Sequence, residues 1–241
     1  MQGYTRRQLK EDKFAETTQG ALEWAAGHRR PLVVTVGIII VAILAAVGGY
    51  AWQSHHNEQA NIAYSAALRT FTAPLAPAGA APAGDTTKTF PSIAERSKAA
   101  EKEFKGVADD YSFTKAGTMA RYMQGLSAMQ AGETAAAEQL LKGTSEIRNK
   151  DVAALSKFAL ANMYRSSNRQ SDAVRLYKEL ADHPTGTVPK TTALLQLAEM
   201  YETIDPQQAK NIYQQIQKEE PNTPAAQIAT SKLAGAKQRG Q

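Results

Sequence analysis

The residues that could do chemistry are few, and their spacing does not suit it. Cysteine is absent and the histidines are His28, His55, His56 and His183. Without thiols there is no disulfide, no thiol nucleophile and no zinc–thiolate site. His55 and His56 are adjacent, so on a helix they point about 100° apart and cannot chelate one ion together. They suit a membrane-interface position better than a ligand set. No His-Glu-x-x-His, phosphate loop or Gly-x-Ser-x-Gly occurs. The paired acids Asp109–Asp110 and Glu219–Glu220 fall where helices should end, which predicts solvated carboxylates rather than an acid–base pair. Lys98, Glu101, Lys102 and Lys105 recur at spacings of three and four, the pattern of one charged helix face. The expectation is a protein that is not an enzyme, with no catalytic residue, no metal and no cofactor.

Charge excludes a second class. The formal net charge is +5 over 241 residues. Basic and acidic residues are interspersed, whereas a nucleic-acid binder usually gathers its cations on one face. Neither nucleic acid nor a small-molecule substrate is an expected partner, which leaves surfaces that hold other proteins.

The element that must position any such surface is the stretch 32–52, LVVTVGIIIVAILAAVGGYAW, which carries no charge. As a helix it is about 30 Å long, the thickness of a bilayer's hydrocarbon core. A single transmembrane helix is predicted there. Arg6, Arg7, Lys10, Lys13, Arg29 and Arg30 precede it, and Arg69 is the only cation in 53–72. The positive-inside bias puts residues 1–31 in the cytoplasm and the bulk of the chain outside. Trp24, Tyr50 and Trp52 suit the interfacial belts. Small residues at Ala45–Gly49 could serve a signal peptidase, but the apolar run is longer than a usual signal core, so a retained anchor is expected.

Before the span, Thr5 and Gln8 have the spacing of a capping box, and Phe14, Thr18, Ala21, Trp24 and Ala25 make a weak apolar stripe. A helix lying on the inner headgroups is the plain reading, with TRRQLKED as a docking motif the sharper one. After the span, residues 53–72 continue as helix, with Ala60, Ala63, Tyr64, Ala67, Leu68 and Phe71 at helical spacing. The stretch 73–91, APLAPAGAAPAGDTTKTFP, has too many prolines and glycines for a helix and reads as a disordered loop. Helix resumes near Ser92, an N-cap with Glu95 three residues on.

From Ser92 onward the chain repeats. Ala100, Ala137, Ala173 and Ala209 are spaced by 37, 36 and 36 residues, and Phe104, Leu141, Tyr177 and Tyr213 follow four later each time. Ahead of these, Gly125, Ala161 and Ala198 are small, with Tyr122, Phe158 and Leu195 three residues before them. Turns fall at Gly132, Asn168 and Asp205–Pro206. The pattern is a helix–turn–helix repeat of about 36 residues in which no unit buries its apolar face alone, so several must stack. Units are expected at 116–143, 151–186 and 189–220. A fourth comes from 53–72 with 92–112, and a closing helix over 223–238 carries Ala226, Ala229, Leu233 and Ala236. The fold class is thus all-α, one N-terminal transmembrane helix followed by an α-solenoid within 92–241. The polar residues Arg121, Gln124, Lys157, Asn162, Arg165, Gln196 and Glu199 are the candidates for a partner-binding or peptide-binding groove on the first helices of the units.

The small residue, tyrosine, turn, alanine, aromatic and proline order resembles the tetratricopeptide repeat. The whole layout resembles one group of such proteins. A basic TRRQLKED tail, one span after His28-Arg29-Arg30, and a first hairpin interrupted by Pro and Ala are similar to the ancillary subunit of the SecYEG translocon. That resemblance implies a bacterial inner-membrane protein with periplasmic repeats. Its partners would be SecYEG and periplasmic chaperones or exported clients, in a chaperone-like role. The competing reading is a structural scaffold for envelope assembly or cell division.

Overall fold

The computed structural model describes residues 29–76 and 88–239. The expectations for the tail before residue 29, including the Thr5–Gln8 capping box, and for residues 77–87 lie outside the described residues. Two compact units result, Met1–His56 and Asn57–Gln241.

Helix α1 runs over Arg29–Phe71. In the first unit it is long and apolar enough to cross a membrane. Its Val, Ile and Leu side chains from Val33 to Val47 are all exposed. A soluble core helix would bury such a stretch, because apolar surface left in water costs about 25 cal/mol per Å². Gly48 and Gly49 do not interrupt the helix, and the Trp52 and His56 rings stack at 5.2 Å.

Among the described residues the second unit contains the remainder of α1 and eight further helices: α2 (Ile93–Asp110), α3 (Lys115–Gln130), α4 (Thr134–Ser145), α5 (Lys150–Ser166), α6 (Gln170–Asp182), α7 (Lys190–Ile204), α8 (Pro206–Glu219) and α9 (Pro224–Arg239). From α2 to α9 each helix packs against the next, and α3 also touches α5. The cap expected at Ser92 is present. The Ser92 hydroxyl accepts from the Glu95 amide at 3.1 Å. Thr114, Asn149 and Asp205 likewise accept amide hydrogens at the starts of α3, α5 and α8.

The turns differ in mechanism. Gly132 and Asn168 take left-handed backbone angles, φ 83° and 59°. Each lets the next amide reach back to a helix carbonyl, Glu133 to Ala128 at 2.9 Å and Arg169 to Tyr164 at 2.8 Å. This is how an αL residue closes a helix. At the corresponding place in the last hairpin, Asp205 stays extended and caps α8, with Pro206 as its first residue.

The repeated small and aromatic positions make the core. Ala100, Ala137 and Ala173 are fully buried, as are Phe104, Leu141 and Tyr177, and Ala209 and Tyr213 are nearly so. Gly125 is required by close approach, since a Cβ there would lie 2.8 Å from Leu141 Cδ2. The first hairpin closes around Phe104, whose ring meets Tyr64 at 5.7 Å and Phe71 at 6.2 Å.

The stretch read as a loose loop is pinned at both ends. Leu75 and Phe90 form a parallel backbone bridge, with the Ala76 amide donating to the Phe90 carbonyl at 2.9 Å. The Arg96 guanidinium donates to the Ala73 carbonyl at 3.0 Å, and Lys88 pairs with Glu103. Composition alone hides this, because long-range partners hold those ends.

Candidate functional site

The seven polar residues expected to share one groove separate into different places. Four of them meet. Helix α5 buries Val152, Ala159, Leu160, Ala161 and Met163, and its Asn162 meets α6 while Arg165 meets α7. Arg165 Nη1 donates to Gln196 Oε1 at 2.8 Å and approaches Glu199 Oε2 at 3.2 Å. Asn162 Oδ1 accepts from the Tyr177 hydroxyl at 2.7 Å. The Arg165 contacts link the first helices of two successive hairpins.

The other three do not join this set, and one of them, Gln124, is corrected by its burial. Gln124 is buried, because its register equivalents one and two repeats on are the core residues Leu160 and Leu197. Lys157 turns the other way and pairs with Glu179 on α6. Its pair stands between two adjoining cavities of about 570 and 630 Å³, which share Ser145, Lys157 and Glu179 in their linings. Arg121 is exposed on α3, at the register position of Lys157 rather than of Asn162.

Several polar contacts of this unit were not singled out by sequence. The Tyr177 hydroxyl is pushed up to about 12, mainly by burial, with Arg165 opposing and Glu199 adding to the shift. In the next hairpin the Tyr213 hydroxyl donates to Glu202 Oε1 at 2.7 Å, and Lys232 from α9 meets the same oxygen at 3.1 Å. Burial, then Glu202 and Glu199, raise the Tyr213 ionisation. Glu138 on α4 accepts from Arg169 through both oxygens at 3.0 Å and from the Tyr164 hydroxyl at 2.9 Å, and pairs with Lys142 at 2.7 Å. Hydrogen bonds from Lys142 first and Arg169 second lower its carboxyl to about 2. Arg169 also lies over the Tyr164 ring at 3.9 Å. The available signal was register: a tyrosine at a core position must find a partner for its hydroxyl.

The candidate reactive groups have ordinary structural roles. Asp109 pairs with Lys105 and Glu219 with Lys190, while Lys98 reaches Glu133. Among the described residues no group of three or more His, Asp or Glu is arranged to hold a metal.

A family model described as the tetratricopeptide repeat matches residues 192–223, the hairpin of α7 and α8. No curated protein matches the chain. A crystal structure of Podosopora anserina repeats, described as nearly identical TPR-like repeats of a kinesin light chain, superposes with a TM-score of 0.51 at 17% identity. The match covers 76% of this chain and 87% of that one. At that identity the likeness is one of fold: the helical hairpins of this protein are tetratricopeptide-like.

Proposed function

We propose that this is an inner-membrane protein whose tetratricopeptide-like hairpins stand in the periplasm, ancillary to the Sec translocon and chaperone-like toward exported proteins. One observation carries the reading: the chain has both an exposed apolar helix of membrane length and a bridged polar face across α5 and α7. An interaction module fits that pairing better than an enzyme does. The cations before the span and their scarcity after it support a cytoplasmic N-terminus. Asn162, Arg165, Gln196 and Glu199 form the partner-facing set, and Gln124 is excluded from it by burial.

The test is a photo-crosslinking amino acid at Asn162, activated in native membranes, with the adducts identified. Translocon subunits and exported chains are the expected products. Recovery of division or outer-membrane assembly proteins without any Sec component would replace this reading with the scaffold one. Protease added to sealed spheroplasts should digest the C-terminal bulk, and its survival would reverse the orientation.

A further inference from the structure

The most exposed large apolar side chain among the described residues is Phe113, 98% exposed in the turn between α2 and α3. The backbone around it is tightly held. The Thr114 hydroxyl donates to the Tyr111 carbonyl at 2.8 Å and accepts from the Gly117 amide at 2.9 Å. The Thr114 amide donates to the same carbonyl at 2.9 Å. Thr114 is itself buried, and a Cβ on Gly117 would lie 2.0 Å from the Tyr111 oxygen. A closely packed turn thus carries a ring that touches almost nothing. The next two turns that lead from a second helix to a following first helix tuck their apolar residues in: Ile147 is half-buried, and Val188 is buried. A phenylalanine ring left in water forfeits the free energy that its burial elsewhere would bring.

The turn lies at the end of its unit where the chain enters. That unit begins at Asn57. Tyr64, seven residues in, interacts with Tyr122, which is seven residues beyond the start of α3 at Lys115. In α2, Phe104 meets Tyr64, and Arg96 meets the Ala73 carbonyl. Helix α2 therefore runs back along this part of α1, and its end at Asp110 returns to the level of Asn57. The uncharged stretch of α1 closes at Trp52, five residues before Asn57. Five residues span at most about 18 Å in any conformation.

We infer that the α2–α3 turn is a second membrane contact, in which Phe113 enters the headgroup–acyl boundary of the bilayer that α1 crosses. The inference rests on the reading of α1 as a transmembrane anchor, and it adds a contact from the hairpin unit to the same lipid. A lone aromatic ring is what such a boundary takes up. A protein partner would call for a wider apolar patch around the ring, and the flanking residues Asp110, Ser112, Thr114 and Lys115 are polar. Charge at this end is balanced, with Lys105 paired to Asp109 and exposed Asp110 and Lys115 of opposite sign. The ring rather than a basic patch makes the contact. A single helix is a tether about which the hairpins can turn, and a second contact limits that turning.

The chain has two tryptophans, Trp24 and Trp52, so one position at a time can report. The full chain is reconstituted in vesicles of phosphatidylethanolamine and phosphatidylglycerol, with or without bromine on the acyl carbons near the headgroup, which quenches tryptophan by contact. Phe113→Trp, made with Trp24→Phe and Trp52→Phe, should lose emission in the brominated vesicles. Gln170→Trp in the same background, an exposed position at the start of α6 and at the opposite end of the hairpins, should keep its emission. Both substitutions are at exposed positions, and unchanged thermal melts would verify the fold. Trp24→Phe alone leaves Trp52 as the reporter of the anchor. An unquenched Phe113→Trp beside a quenched Trp52 would overturn the inference and leave the anchor standing. No quenching at either position would overturn both. Blue-shifted but unquenched emission from Phe113→Trp would assign the ring to a contact between copies of this chain, and equal quenching of Gln170→Trp would mean that the whole unit lies in lipid. Either result would overturn the inference.

Discussion

At Gly125 the close approach of α3 and α4 depends on a missing methyl group. A larger residue there meets Leu141, which is fully buried and has nowhere to move. Gly125→Val should lower stability by about 1–3 kcal/mol, the usual range for overpacking. Adding Leu141→Ala should cost less than the sum of the single changes, because the cavity receives the new methyl groups. Urea unfolding of the four proteins measures this. Glu138 gives a second residue-scale prediction. Its carboxyl lies near 2 in the folded protein against 4.5 as reference. The group therefore adds stability that is complete above the reference value and is lost as pH falls toward the folded one. Glu138→Gln should be less stable at neutral pH, and its stability should fall less between pH 4.5 and 2 than that of the parent.

At the scale of elements, helix ends decide where each hairpin turns. Asn168 closes α5 with a left-handed backbone, a conformation glycine adopts without the side-chain penalty. Asn168→Gly should be neutral or stabilising by up to about 1 kcal/mol. Asn168→Ile should be destabilising, since a β-branched residue resists positive φ. Thermal melts of both variants check the sign. Periodicity made the helices themselves readable, because a buried face must recur every three or four residues whatever its neighbour is. The Leu75–Phe90 bridge was not readable, since its two strands of chain are separated by proline-rich sequence and pair only through the packed hairpin.

At the scale of the molecule, two features should respond separately to mutation. The exposed apolar stretch of α1 should hold the protein in a membrane. Ile40→Lys with Leu44→Lys costs several kcal/mol of insertion, on the order of 3 per charge. Alkaline extraction of membranes should then release the variant and not the parent. The closing helix covers the last hairpin, with Ala229 fully buried and Leu233 packed against the core. Ending the chain before α9 would expose Ile216 and remove Lys232 from Glu202. A stack stabilised by nearest-neighbour contacts should then unfold first at α7 and α8. Hydrogen exchange should show protection lost there and retained in α2 and α3.

The sequence by itself determined the long apolar helix, the repeat length, the turns at Gly132, Asn168 and Asp205, and the small-to-aromatic contacts, since each is a local or periodic requirement of the chain. Tertiary structure alone decided which polar residues share a face. Lys157 and Asn162 are five residues apart on one helix, and only the position of α6 reveals that the first meets Glu179 while the second meets Tyr177. Gln124 looked like surface because it is polar, yet packing puts it where leucine stands in the other repeats. A helix has a face only in relation to what packs against it, and that relation is set by neighbours many residues away.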